Sequence, residues 1–267
     1  VSSATETLLE AILVCPVCRG ELEDDRCSSC GRIYEAHDFV PHPLPDSDLR
    51  RRRRLWKKLE ANGARAYEID PPSSLSIGER ADARLFAEFS RLEGLILDIG
   101  CGPQALPSYA AAAIERFVGV DPLRGEQPRG FAFAQAIAEY LPFKDDVFDR
   151  VLFATSIDHV LSLELALDEA RRVSRSGGMV CIWTGEPEPP PPPDGLRENL
   201  WRRLGFMNVR TPQTTMRFRI PRGAADPFHV AHPTVAQLQT LLEQAGLRVV
   251  DVQRPLQQRC FLRALVP

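Results

Sequence analysis

Asp158 and His159 stand side by side near the end of Phe148–Val160, FDRVLFATSIDHV, where an apolar run gives way to polar residues. An imidazole with an ordinary pKa of ~6.5 can take a proton near neutrality, and the adjacent carboxylate is an alternative base. The plainer alternative is that His159 packs or caps at the start of the next helix. Earlier, Leu95–Leu106 reads LILDIGCGPQAL, an apolar run that reaches Asp98 and then turns through Gly100, Cys101 and Gly102. Strand, acid, glycine turn and helix in that order suit a nucleoside-type cofactor at the carboxyl edge of a parallel sheet. Gly100, Gly102 and Ala105 also satisfy a G-x-G-x-x-A count, so the turn alone admits a nicotinamide dinucleotide. A third group, Cys15-Pro-Val-Cys18 and Cys27-Ser-Ser-Cys30, supplies two C-x-x-C pairs. Four thiolates from two such turns can surround one tetrahedral zinc at ~2.3 Å per bond. That set leaves no open position for substrate, so a structural zinc ribbon is expected rather than a dithiol redox pair.

These groups need a scaffold. The chain has 267 residues and 44% hydrophobic content, enough for one α/β core and a small appendage. Residues 1–45 read as the ribbon with its linker and 46–267 as the main domain. The linker is Val40–Asp48, VPHPLPDSD, stiffened by three prolines. A ribbon this small has almost no apolar core of its own, so metal would supply much of its folding energy. In the main domain, Leu85, Phe86 and Phe89 fall at helical spacing within 81–91, and the first strand is Leu95–Ile99. An alanine-rich helix is expected over Pro107–Arg116, then a strand over Phe117–Val120 that closes on Asp121. An acid at the end of a second strand is placed to accept both ribose hydroxyls.

The totals exclude some functions. A formal charge of −3 and a pI near 6.0 give no global basic field for nucleic acid. The ribbon itself, Cys15 to Phe39, carries three arginines against six acids, a poor surface for phosphate. No run approaches the ~18 apolar residues of a membrane span, and no apolar signal core opens the chain. The scattered remaining cysteines do not make a secreted disulfide framework. A cytoplasmic protein is expected. One local exception is Arg50–Arg54, followed by Trp56, Lys57 and Lys58. It suits an RNA or lipid contact, or a solvated helix whose Leu49, Leu55, Trp56 and Leu59 pack on the main domain.

The sequence LDIGCG, then FVGVD, then AEYLPF at Ala138–Phe143, then FDRVLFATSIDHV, then ARRVSRSGGMVCIW at Ala170–Trp183 resembles the class I S-adenosylmethionine-dependent methyltransferases, of the type 11 kind. Five motifs keep the family's order over about 90 residues. The carboxyl terminus agrees: helix Thr234–Ala245, strand Leu247–Gln253 and strand Arg259–Val266 would put an antiparallel hairpin into a parallel sheet. The resemblance implies an α/β, Rossmann-like fold with a seven-stranded sheet and argues against a dehydrogenase. It places Asp98, Gly100, Cys101 and Gly102 at the methionine end of S-adenosylmethionine, Asp121 with Pro122 at the ribose, and Ala138 and Glu139 beside adenine. Family members often carry an aspartate just before that Ala-Glu pair, where this chain has Ile137. Thr155, Ser156, Asp158 and His159 then follow the fourth strand, at the edge where the transferred methyl should lie, with Thr155 touching the cofactor and Asp158 or His159 serving as base.

Between the fifth strand and the last helix lies an insertion, 185–232, with five prolines at Pro189–Pro193. It should form part of the acceptor site. Arg217, Arg219 and Arg222 alternate with Phe218 and Ile220 and suit an anionic acceptor, or an edge strand kept soluble by charge. His229 and His232 line a pocket or serve structure; a metal there would need further ligands. The reading is methyl transfer to a hydroxyl or amine of a small molecule: a sugar, a lipid-linked saccharide or a secondary metabolite. The alternatives are a ribosomal RNA guanine-N methyltransferase with an RNA-binding zinc module, as the resemblance to that bacterial group implies, and a non-catalytic binding module on the same scaffold.

Overall fold

The computed structural model describes residues 3–70, 80–185, 196–211 and 213–267. Helix α1 (Ser3–Ile12) leads into a two-stranded hairpin, β1 (Leu22–Glu23) and β2 (Arg26–Cys27), which carries the cysteine pairs. Helix α2 (Ser47–Ile69) follows the proline linker. The Asp46 side chain caps it, accepting from the Asp48 and Leu49 amides at 2.8 Å each. It ends just before Pro71 and Pro72, which disfavour continuation of a helix. Helix α3 (Ala81–Ser90) precedes the sheet.

The strands of the sheet follow the order of the motifs. Its strands are β3 (Ile96–Ile99), β4 (Phe117–Asp121), β5 (Ala132–Gln135), β6 (Phe148–Ala154) and β7 (Ser174–Gly185), closed by β10 (Arg248–Leu256) and β11 (Arg259–Leu265). Helices α4 (Leu163–Val173) and α6 (Val235–Gln244) lie between the later strands. The insertion contributes α5 (Leu196–Arg203) and a separate hairpin, β8 (Phe206–Arg210) with β9 (Thr215–Arg219). The strand order is β10-β11-β7-β6-β3-β4-β5, with β11 antiparallel to both its neighbours and the pairs among β3 to β7 parallel. Order reverses between β3 and β6, which opens a crevice beyond their carboxyl ends.

Strands buried on both faces need apolar residues at successive positions, and ILDI and FVGVD supply them. Leu97, Ile99, Val118, Val120, Val151 and Phe153 pack toward α1, α4 and α6. Ile96, Phe117, Leu152 and Trp183 face the opposite way, onto Phe86 and Phe89 of α3. The terminal hairpin lies where the sequence places it, and a capping box of Thr234 and Gln237 starts α6.

Two expectations change. The helix over Pro107–Arg116 is instead a series of turns followed by a 3-10 turn at Ala111–Arg116. Pro103 and Pro107 have no amide hydrogen to give, and the Tyr109 hydroxyl is drawn inward to Asp98 at 2.7 Å. The ribbon, expected to lack a core, shares that of the sheet: Cys15, Cys27, Tyr34 and Phe39 are buried in the same cluster as β3 and β4. Phe39 also donates its amide to the Gln135 carbonyl at 2.7 Å, and Val14 to Pro142 at 2.9 Å. The run Pro189–Pro193 lies outside the described residues.

Arg19 of the ribbon reaches Glu169 of α4 at 2.6 Å. The same carboxylate takes Arg172 through two nitrogens at 2.8 Å and the Leu141 amide at 2.9 Å. Glu169 is buried, so its loss breaks three ion-pair contacts to Arg19 and Arg172 and leaves the Leu141 amide without this acceptor. Glu169→Ala should therefore destabilise the fold by about 3 kcal/mol, read by urea unfolding, whereas Arg51→Ala on the exposed face of α2 should change it by less than about 0.5 kcal/mol.

Candidate active site

The crevice is built around the turn after β3. The Gly100 and Cys101 amides both donate to the Val120 carbonyl, at 2.8 and 3.1 Å, which folds the turn back onto β4. Gly100 (φ +81°) and Gly102 (φ +74°) take left-handed backbone. A Cβ on Gly100 would lie 2.4 Å from that of Ser156, so the turn and the end of β6 approach as only glycine allows. Asp121 accepts from the Gly102 amide at 2.8 Å and from the Leu123 amide at 2.7 Å, one on each oxygen. Each oxygen keeps a lone pair for a ligand hydroxyl. Burial raises the Asp121 carboxyl to about 6, against the pull of those two amides.

The structure brings most of the expected residues to one cleft. Gly100, Cys101, Gly102, Asp121 and Pro122 form one wall; Ala138, Glu139, Thr155 and His159 continue it. Cys101 contributes backbone, since its thiol packs into the apolar layer with Phe117 and Phe131. Glu139 turns its carboxylate onto the Leu161 and Ser162 amides, which fixes the entry to α4. Thr155 holds a left-handed backbone (φ +61°), a strained state for a β-branched residue, and donates its amide to the Trp183 carbonyl at 2.9 Å. Asp98 lies one layer deeper, reaching the cleft through Tyr109, which lines it. Its other oxygen, Oδ1, is buried without a partner, as is the Trp183 indole nitrogen in the wall.

Sequence reasoning missed the roof. Trp56, Leu59, Glu60, Gly63 and Tyr67 of α2 all line the cleft. Their spacing places them on one helical face, a signal masked by the arginines beside it. The reading of this segment as a helix packed on the main domain through Leu49, Trp56 and Leu59 matches the structure. The indole of Trp56 donates to the His159 carbonyl at 2.9 Å. Ile137, in the place of the family's aspartate, is buried with Leu49 and Trp56 beneath that roof. The β8–β9 hairpin packs Met216 and Phe218 on Ala66 of α2, while Arg217 and Arg219 face solvent.

Beside the cleft, Asp158 and His159 meet two residues of the insertion. His229 places Nε2 3.4 Å from Asp158 and Nδ1 2.8 Å from Asp226. His159 Nε2 is 3.9 Å from Asp158, and its ring lies 4.4 Å from that of His229. His159 is half exposed at the cleft, and partial desolvation there holds it below its ordinary pKa, although Asp158 opposes this. Burial also opposes charge on His229, but the Asp226 hydrogen bond and Asp158 outweigh it and raise that imidazole.

Among the described residues the cleft wall carries Glu60, Asp121 and Glu139 but no lysine or arginine. That set suits a ligand bearing positive charge. An open parallel sheet with this turn at its switch point defines an enzyme of the nucleoside-cofactor class. Residues 97–182 match a family model described as a methyltransferase domain. A ubiquinone/menaquinone biosynthesis C-methyltransferase from Hahella chejuensis is 31% identical over 199 residues, 73% of each chain. A malonyl-[acyl-carrier protein] O-methyltransferase from Geobacter sulfurreducens is 27% identical over 213 residues, 75% of this chain and 72% of that one. A crystal structure of 1,6-didemethyltoxoflavin N1-methyltransferase from Burkholderia thailandensis, holding 1,6-didemethyltoxoflavin and S-adenosylhomocysteine, has a TM-score of 0.56. It covers 85% of this chain and 93% of that one at 16% identity, a likeness of fold. The chain belongs to the class I S-adenosylmethionine-dependent methyltransferases. Among the described residues no helix is long and apolar enough to cross a membrane.

Burial raises Asp98 from 3.8 to about 7, with the Asp121 charge adding to the effect and the Tyr109 hydrogen bond opposing it. A raised acid makes the folded state hold its proton more tightly than the unfolded one. Its contribution is therefore full below about pH 4 and lost as pH rises through about 7. Asp98→Asn should raise Tm at pH 8 by a few degrees and flatten this part of the pH dependence, measured by calorimetry from pH 4 to 8.

Proposed function

We propose that this enzyme transfers a methyl group to a hydroxyl or amine of a small molecule, of the sugar, lipid-linked saccharide or secondary-metabolite kind. The carrying observation is the roof: α2 and Phe228 of the insertion line the cleft together with the glycine turn, so an acceptor has to fit among them. Much of the Arg50–Arg54 run is turned to local partners, Arg50 to the Leu44 and Pro45 carbonyls, Arg51 to Asp48, and Arg53 to His42 at 3.1 Å. That leaves fewer free guanidinium donors for RNA than the run suggests.

The donor supplies an activated methyl on a sulfonium, so the protein has mainly to align the reactants. Asp121 would hold the ribose hydroxyls, while the turn at Gly100–Gly102 lets the backbone approach closely. The partnerless Asp98 Oδ1 fits the donor's positive end. Adenine would be held by packing against Ala138 and Ile137. Asp158 and His159, at the end of β6, activate the acceptor. Calorimetry should show binding of S-adenosylmethionine and S-adenosylhomocysteine that Asp121→Ala weakens at least ~100-fold, the scale of two lost charged hydrogen bonds. His159→Ala should lower turnover ~100-fold or more with donor affinity unchanged. Absence of binding by either ligand would overturn the donor site assigned here.

The ribbon fits zinc. Cys15 and Cys30 place their sulfurs 3.7 Å apart, Cys18 and Cys27 3.4 Å, and all four lie within 4.8 Å of one another. A tetrahedron of Zn–S bonds has edges of about 3.8 Å. Metal analysis should return one thiolate-bound zinc per chain, and Cys27→Ser should lower Tm by uncoupling the ribbon from the β5 edge.

A further inference from the structure

The acceptor side of the cleft holds more chemistry than a single base needs. Three of the chain's five histidines and two aspartates converge there from two segments far apart in sequence, Asp158–His159 after β6 and Asp226–His232 before α6. The contacts divide into two kinds. Asp226 lies 2.8 Å from His229 Nδ1 and 2.9 Å from His232 Nε2, which are direct hydrogen bonds with no room for an ion between the partners. Asp158 lies 3.4 Å from His229 Nε2 and 3.9 Å from His159 Nε2, and the three ligand atoms fall within 4.8 Å of one another. A tetrahedral zinc-class ion at ~2.0–2.1 Å from nitrogen and oxygen needs neighbouring ligands about 3.3 Å apart. The second group is thus close to coordination spacing without an ion, and the first is not.

Two further observations point the same way. Asp158 Oδ1 is buried and has no hydrogen-bond partner, so a carboxylate oxygen in this cluster lacks the donor its burial calls for. His229 is oriented from behind: its Nδ1 meets Asp226, whose Oδ1 also accepts the Phe228 and His229 amides at 2.7 and 2.9 Å. A histidine whose far nitrogen is tied to a fixed carboxylate, with the near one presented toward other donors, is the arrangement that orients a metal-ligating imidazole and raises its basicity.

We propose that Asp158, His159 and His229 bind one divalent cation of the zinc class, with Asp226 as the positioning residue behind His229. Two imidazoles and one carboxylate leave a tetrahedral ion one open position. His159 and Phe228 line the cleft, so that position faces the acceptor compartment and would take water or the acceptor's oxygen or nitrogen. This last role rests on the function proposed above, and it makes His159 a ligand, so that the cation performs the activation assigned to the Asp158–His159 pair. The cation itself does not depend on that reading.

The test is a titration of metal-stripped full-length protein with Co2+, followed by visible absorption. The ribbon's equivalent shows thiolate charge transfer. A second equivalent with d–d bands and no thiolate charge transfer is expected. His229→Ala and Asp158→Asn should each abolish it, Asp226→Asn should weaken it at least ~10-fold, and His232→Ala should keep it. Retention of the thiolate equivalent and of S-adenosylmethionine binding shows that a variant is folded. Wild-type protein without the second spectrum overturns the proposal, as does a second equivalent that survives in both His229→Ala and Asp158→Asn. Loss of methyl transfer in His159→Ala with no such cation in wild type would leave the function standing and His159 as a free base.

Discussion

The Asp121 carboxylate is the joint of this structure. Its two oxygens take the Gly102 and Leu123 amides, and so join the turn after β3 to the end of β4. The turn is already pinned by two amides on Val120, so its glycines present backbone to the cleft in a fixed pose. An acid at this place is costly to bury, as its raised carboxyl shows, and the amides offset part of that cost. Position and charge are set together: the group that shapes the turn is also the one aimed at a ligand's hydroxyls.

A second constraint is the cover. The sheet alone leaves an open crevice beyond β3 and β6, and α2 closes it with a face of Trp56, Leu59, Glu60, Gly63 and Tyr67. The cover is anchored at several points. Trp56 donates to the His159 carbonyl, Asn62 to the Arg219 and Pro227 carbonyls, and Ala66 packs under Met216 and Phe218. The amino-terminal segment and the insertion thereby meet over the site, and the residues that cover it come from parts of the chain outside the family's motifs.

The sheet was legible because its signals are local. Apolar runs of four or five residues ending in acids, a glycine pair at fixed offset and a terminal hairpin each state a strand or turn by themselves. The 3-10 turn in place of a helix after Pro107 was not, because alanine content outweighs two prolines in a propensity reading and the pull of Asp98 on Tyr109 is tertiary. The packing stripe of α2 was legible through Leu49, Leu55, Trp56 and Leu59, but its continuation through Glu60, Gly63 and Tyr67 over the cleft was not, because it runs beside Lys57, Lys58 and five arginines. His229 was visible only as a histidine near another histidine. Its neighbours Asp158 and His159 lie across the fold, and sequence spacing carries no trace of that contact.

The charge of the cleft wall also acts on the release of spent donor. Carboxylates without lysine or arginine favour the donor while its sulfur is cationic. Once the methyl has left, the sulfur is a neutral thioether and that Coulombic advantage ends. The wall therefore distinguishes spent from fresh ligand by one unit of charge at an unchanged shape.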